Sequence, residues 1–139
     1  MINIRVAKVL ILLSIVFIFV PFSSQAKLLP KFLFEKALQE SKDGDFIQAE
    51  KDWNLFLNDN PDDVAALSNR GNIRLALGDP QGAIKDQSKA IKISPEDLDP
   101  YLNRGIAEEA LKLWEDARKD YSYILKRNPE NVSALYNLG

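Results

Sequence analysis

Residues 64–97 and 98–131 are two consecutive copies of a 34-residue repeat. Asn69-Arg70-Gly71 returns as Asn103-Arg104-Gly105, and an alanine, an aspartate and a proline recur at the same offset. A fixed period in this range is typical of solenoids, in which each repeat is a pair of helices. Because one such pair cannot bury its apolar face alone, the period predicts an all-α stack of helical hairpins.

Prolines mark the ends of three repeats, because the residue before a proline leaves the helical region. Counting back from them, the repeats cover residues 30–63, 64–97 and 98–131, and a fourth begins at 132 and runs to 139. Apolar residues recur at spacings of three and four, which indicates two amphipathic helices per repeat. The predicted first helices lie near Lys31–Lys42, Val64–Leu77, Pro100–Leu111 and from Val132 onward, and the second helices near Phe46–Leu57, Gln81–Ile93 and Trp114–Lys126.

These offsets resemble the tetratricopeptide repeat (TPR) family over about residues 30–139. Small residues share the position where the two helices of a repeat approach each other: Ala37, Gly71, Gly105 and Gly139. The facing helices supply Ala49, Ala83 and Ala117. The resemblance implies a right-handed α-solenoid whose function is protein binding, and the first repeat is its most divergent member.

The resemblance also implies a binding site. In this family the first helices line a concave groove that holds an extended peptide or a helix of a partner protein. By offset, the groove positions are Phe34, Leu38, Ser68, Asn69, Asn72, Leu75, Leu102, Asn103 and Ile106. Asparagine amides can bond a ligand backbone both as donors and as acceptors. An alternative is that Asn69 and Asn103 hold a neighbouring loop or helix instead.

The best-known groove chemistry of the family is a clamp of two lysines, an arginine and asparagines for a C-terminal carboxylate. Asn72 and Asn103 fit that clamp across the second to fourth repeats. Ser68, Ser133 and Asn137 stand where its charged members belong. Since those charges would supply the strong bonds to a carboxylate, capture of a chain terminus is not expected.

A basic residue recurs at one position of the first helices, and an aspartate follows it sixteen residues later. The predicted pairs are Lys36 with Asp52, Arg70 with Asp86, and Arg104 with Asp120. We expect each pair to meet across its helix hairpin as a salt bridge of small energetic value, as exposed pairs are. The alternative is a basic patch for a ligand.

Departures from the family pattern carry further predictions. Gln87 replaces the large apolar residue found as Trp53 and Tyr121, so we expect looser packing or a side-chain hydrogen bond in the second repeat. Lys112-Leu113 replaces the Gly-Asp of the earlier turns, which predicts a different or strained backbone. Trp114 is expected to pack in the core.

Residues 1–26 have the layout of a secretory signal peptide. A short basic start precedes the apolar run Val9–Val20, and Ser24-Gln-Ala26 offers small residues for cleavage after Ala26. That run is shorter than the 18 or more apolar residues typical of a membrane span. An uncleaved anchor is the alternative, with membrane contact only through residues 1–26. Either way we expect export to a periplasm, a thylakoid lumen or the outside of the cell.

Composition limits the chemistry of the remaining chain. The 139 residues include no Cys and no His, so thiol nucleophiles, zinc fingers and imidazole bases are excluded. A formal charge of −2 argues against a nucleic-acid partner. No phosphate loop, metal-ligand spacing or nucleophile motif is present, so we expect no enzyme, no cofactor and no small-molecule substrate.

These observations favour an exported, non-enzymatic protein-interaction scaffold. Its similarity to exported repeat proteins of cyanobacteria and chloroplasts suggests an assembly factor, by analogy alone. The alternative is a non-catalytic N-terminal region of a longer exported enzyme or transport component. The half-repeat that ends in Tyr136-Asn-Leu-Gly139 could also recruit a second copy end to end.

Overall fold

The computed structural model describes the backbone of residues 22–138 and the side chains of residues 29–138. Residues 1–21, which include the predicted apolar run Val9–Val20, and Gly139 lie outside that part. Over the described backbone the chain forms only α-helices joined by short turns, which confirms the predicted all-α fold. The helices are α1 (Phe22–Asp43), α2 (Phe46–Asp59), α3 (Val64–Ala76), α4 (Pro80–Ile93), α5 (Asp99–Ala110), α6 (Trp114–Arg127) and α7 (Val132–Leu138).

Six helices begin within one residue of their predicted starts, and α1 is the exception. It begins at Phe22, nine residues before the predicted start at Lys31, and it continues through Pro30. Proline lacks one backbone donor and usually ends or kinks a helix, which is why the prediction stopped there. Residues 33–139 form one compact unit, and its N-terminal boundary falls within α1. None of the helices in the described part is both long and apolar enough to cross a membrane.

Small residues on the first helices make room for large ones on the second, as predicted. A Cβ atom added to Gly105 would lie 2.5 Å from the ring of Tyr121, and one added to Gly71 would lie 2.7 Å from Gln87 Nε2. Trp53 and Tyr121 are buried, and each lies in its own apolar cluster. Close approach at these glycines therefore fixes the spacing of the helices in each hairpin.

Trp114 does not pack in the core, so that prediction is wrong. The ring is 60% exposed. Phe46 occupies the equivalent position in the first repeat and packs against the cluster around Trp53. Trp114 stands at the start of α6 and does not pack against the cluster around Tyr121, so its ring stays in solvent.

The three turns inside the repeats share a left-handed residue. Gly44 and Gly78 have φ angles of +80° and +84°, and Lys112 takes the same region with φ +61°. A residue with a Cβ atom is strained there, so the predicted strain at Lys112 is confirmed. Asp79 then caps α4 by accepting a hydrogen bond from the Gly82 amide, whereas Leu113 gives α6 no side-chain cap.

The predicted pairs between the helices of each repeat are confirmed. Both arginines form bidentate salt bridges with their aspartates. The two hydrogen bonds measure 2.8 and 2.6 Å from Arg70 to Asp86, and 2.7 Å each from Arg104 to Asp120. Lys36 also bonds to Asp52. However, all three aspartates are buried. Removing a partner would leave a buried charge, so these pairs matter more than the expected surface pairs.

The arginines also join consecutive repeats. Arg70 Nη1 donates to Asn54 Oδ1 at 2.9 Å, and Arg104 Nη1 donates to Ser88 Oγ at 3.1 Å. Asn54 and Ser88 lie 34 residues apart on the second helices of the preceding repeats. A planar guanidinium can meet two partners at once because it carries five donors in a fixed fork. Each arginine therefore connects three helices.

Candidate partner-binding groove

The structure places all nine predicted groove residues on first helices. Phe34 and Leu38 lie on α1, four more lie on α3 and three lie on α5. The side chains of Asn72 and Ile106 are exposed, with Ile106 at 37%. The other seven are partly buried: Phe34, Leu38, Ser68, Asn69, Leu75, Leu102 and Asn103. The predicted groove is therefore a surface of mixed exposure.

The apolar members near the first repeat also serve the core. The Phe34 ring meets Trp53 and Phe56 edge-on, with centroids 5.0 and 5.3 Å apart. Leu38 packs against the same cluster, and Leu102 packs against the cluster around Tyr121. Such contacts hold the rings and branches in place, so these side chains offer a ligand only their outer surfaces.

Ser68 and Asn72 are linked by the buried Gln87. Ser68 Oγ donates to Gln87 Oε1 at 2.9 Å, and Gln87 Nε2 donates at 3.1 Å to both the Ser68 carbonyl and Asn72 Oδ1. This network confirms the side-chain hydrogen bond predicted for the second repeat. Because the Asn72 oxygen is engaged, its amide nitrogen is the group left to donate to a ligand.

Asn69 and Asn103 differ from that pair. Both are partly buried, and neither side chain makes a hydrogen bond or an ion pair with another residue among those described. The alternative that they hold a neighbouring loop or helix therefore has no hydrogen bond to support it. Each amide keeps its two donors and its acceptor for a ligand, and the two lie one repeat apart.

Three titratable residues recur at one position of the first helices, and sequence reasoning did not identify their role. Glu40, Arg74 and Glu108 share one repeat position. Arg74 bonds to Asp86 at 2.9 Å and to Glu50 at 3.0 Å. Glu40 and Glu108 instead place a second carboxylate beside the basic residue of the Lys36–Asp52 and Arg104–Asp120 pairs. Aligning the repeats at the 34-residue offset would have shown this excess of negative charge.

Glu108 is the residue of the three whose pKa is strongly shifted. It is 8% exposed, its Oε2 atom has no hydrogen-bond partner among the described residues, and its Oε1 atom lies 3.8 Å from Arg104 Nε. Asp120 takes both strong bonds of that guanidinium. Burial, and then the charge of Asp120, raise the pKa of Glu108 to about 7. Burial likewise raises the pKa of Glu40.

Further exposed aromatic surface lies at the C-terminal end of the described chain. Tyr136 on α7 is 85% exposed and is equivalent by offset to Phe34, Ser68 and Leu102. It therefore extends the predicted groove positions into the fourth repeat. No group of three or more Cys, His, Asp or Glu side chains within the described residues is arranged to hold a metal ion.

Comparison with known families assigns the repeats. A tetratricopeptide repeat model matches residues 64–97, and a second model of the same name matches residues 102–139. The chain belongs to the tetratricopeptide repeat family, and its helices form a solenoid of that type. A search of curated proteins gives no match for this chain.

Solved structures with the same fold come from several sources. The first TPR domain of Spaghetti (RPAP3), bound to the HSP90 peptide SRMEEVD, is 27% identical with a TM-score of 0.75, over 78% of this chain and 86% of that one. The Arabidopsis OM64 TPR domain is 25% identical with a TM-score of 0.75, over 79% and 91%. A Parabacteroides merdae TPR protein is 28% identical with a TM-score of 0.73, over 78% and 44%.

Proposed function

We propose that this chain is a non-enzymatic scaffold that binds an extended internal segment of a partner protein along its first helices. The observation that carries the proposal is the pair of unengaged amides, Asn69 and Asn103, at equivalent positions of consecutive repeats. The similar RPAP3 domain binds a peptide, which supports peptide binding as the use of this surface.

The side chains around the amides indicate what the segment contains. Leu75, Leu102 and Ile106 offer apolar surface on the same helices as the amides, and burying apolar side chains there favours binding. Ser68 stands in place of a charged clamp residue and is already bonded to Gln87. A terminal carboxylate would thus lose its hydration without gaining a charged partner. An internal segment avoids that penalty.

The scaffold acts after export in this proposal. The layout of residues 1–26 supports a cleaved signal peptide, and an assembly factor in a periplasm or thylakoid lumen is the role that we infer from it. A membrane-anchored adaptor is the alternative if those residues are retained. A non-catalytic region of a longer exported enzyme or transport component would use the same groove.

A random peptide library displayed with both free and blocked C-termini tests the proposal. We expect selected peptides to share apolar residues at spaced positions and to bind equally well when the C-terminus is amidated. Selection of peptides that bind only through a free carboxylate would contradict it. Failure to select any peptide that competes with the partner captured from the native host would also contradict it.

A further inference from the structure

A cleft lies at the junction of the first and second repeats, apart from the predicted groove residues. It has a volume of about 250 Å³. Its apolar walls include Leu57 and Leu67, and its rim includes Pro61, Lys85 and Lys89. An enclosed apolar cavity of roughly 150 Å³ is large enough for a benzene molecule. The cleft therefore has room for one aromatic side chain.

The next junction along the chain shows what fits this shape. Tyr101 is the equivalent of Leu67, and Tyr123 is the equivalent of Lys89, each 34 residues later. The two tyrosine rings stack with centroids 4.2 Å apart and planes inclined by 18°. Both hydroxyl groups donate to the carbonyl of Pro95, at 3.2 and 3.0 Å.

The first junction has the same acceptor but neither ring. The carbonyl of Pro61, equivalent to that of Pro95, accepts a 2.6 Å hydrogen bond from Lys89 Nζ. Lys89 Nζ also lies 3.0 Å from Asp62, and both side chains of that pair are well exposed. An exposed ion pair is worth little, so the lysine can leave the carbonyl when a better donor arrives.

We propose that this cleft holds a tyrosine side chain of a partner protein. The phenol ring lies between the walls formed by Leu57 and Leu67, and its hydroxyl donates to the Pro61 carbonyl in place of Lys89. The displaced ammonium and that of Lys85, which makes no ion pair among the described residues, then face an acidic residue beside the tyrosine. The preferred ligand is a tyrosine within an acidic segment.

Binding can be measured with small probes on the isotopically labelled full chain. 4-Methylphenol should give saturable amide shifts at Leu57, Leu67 and Lys89, and 4-methylcyclohexanol, which has the same size but no aromatic ring, should bind at least about threefold more weakly. Equal binding of the two probes, or shifts scattered away from the cleft, would overturn the proposal.

A plugged variant provides the matched control. Leu67→Tyr with Lys89→Tyr copies the next junction, so the variant should fold and should lose the 4-methylphenol shifts. If it does not fold, Lys89→Tyr alone places one ring at the exposed rim of the cleft and should weaken the 4-methylphenol shifts. Unchanged binding to a folded plugged variant would show that the cleft is not the site.

Charge preference distinguishes the partner. Acetyl-Asp-Tyr-Glu-amide should bind more tightly than acetyl-Lys-Tyr-Lys-amide, and Lys85→Glu should reduce or remove that preference. No preference between the peptides would remove the acidic segment from the proposal. Concentration-dependent dimers that Tyr136→Ser abolishes would mean that a second copy fills the cleft, which would contradict a separate partner.

Discussion

Replacing Glu108 with glutamine should make this protein more stable at pH 8 and leave its stability unchanged at pH 4. The side chain is buried, one carboxylate oxygen has no hydrogen-bond partner within residues 29–138, and Asp120 bonds to the nearby Arg104. Asp116 and Lys119 on α6 add smaller opposing effects. Glutamine has nearly the shape of a protonated glutamate and carries no charge.

The expected magnitude follows from the pKa of Glu108, which rises from its ordinary value of 4.5 to about 7 on folding. Each pKa unit corresponds to about 1.4 kcal/mol, so the penalty for ionising Glu108 in the folded state is about 3 kcal/mol. Below pH 4.5 both states hold the proton. Between pH 4.5 and pH 7 only the folded state holds it, so this group lowers stability as the pH rises.

Urea denaturation from pH 4 to pH 8.5 measures this effect as the difference between wild type and Glu108→Gln. The difference should grow through the window and level off above pH 7, at a sizeable share of the roughly 5–15 kcal/mol typical of small proteins. Glu130→Gln, at an exposed carboxylate, is the matched control and should track the wild type. A Glu108→Gln difference that does not vary with pH would refute the reasoning.

Three further changes test other parts of the structure. Lys112→Gly should raise the free energy of unfolding by about 1 kcal/mol in urea, because glycine relieves the positive φ angle; an unchanged or lower value would contradict the strain. Asp120→Ala should lower it by about 3 kcal/mol because Arg104, whose side chain is only 22% exposed, loses its main partner. Asp52→Ala should cost less, since its lysine is 40% exposed, and equal losses would contradict the role of burial. Intact mass of the protein from its native host should begin at Lys27, whereas a start at Met1 would favour the anchored form.

The 34-residue offset predicted most of the fold because the two helices pack in the same way in every repeat. It located six helix starts, the close approach at Gly105 and the three ion pairs. It missed the early start of α1, because prolines were expected to lie at helix ends, whereas α1 continues through Pro30. It also missed the exposure of Trp114, which depends on the neighbour that covers it rather than on its own position.

The candidate site was less predictable from sequence than the helices. The 34-residue offset identified the groove positions. In the described part of the chain, Gln87 bonds to Ser68 and Asn72, whereas Asn69 and Asn103 have no side-chain partner. That difference arises from contacts across the hairpin, which no linear pattern contains. The raised pKa of Glu108 likewise depends on Asp120, rather than Glu108, forming the two short hydrogen bonds with the Arg104 guanidinium.

The most direct test of the scaffold proposal is the affinity of the best selected peptide, amidated at its C-terminus, for wild type and for Asn69→Ala/Asn103→Ala. Each amide contributes about 1 kcal/mol or more through hydrogen bonds to the peptide backbone, so the double variant should bind at least about tenfold more weakly by calorimetry. Gln81→Ala, at an exposed amide on a second helix, is the matched control and should bind as the wild type does. Equal affinities for wild type and the double asparagine variant would contradict peptide binding through these amides.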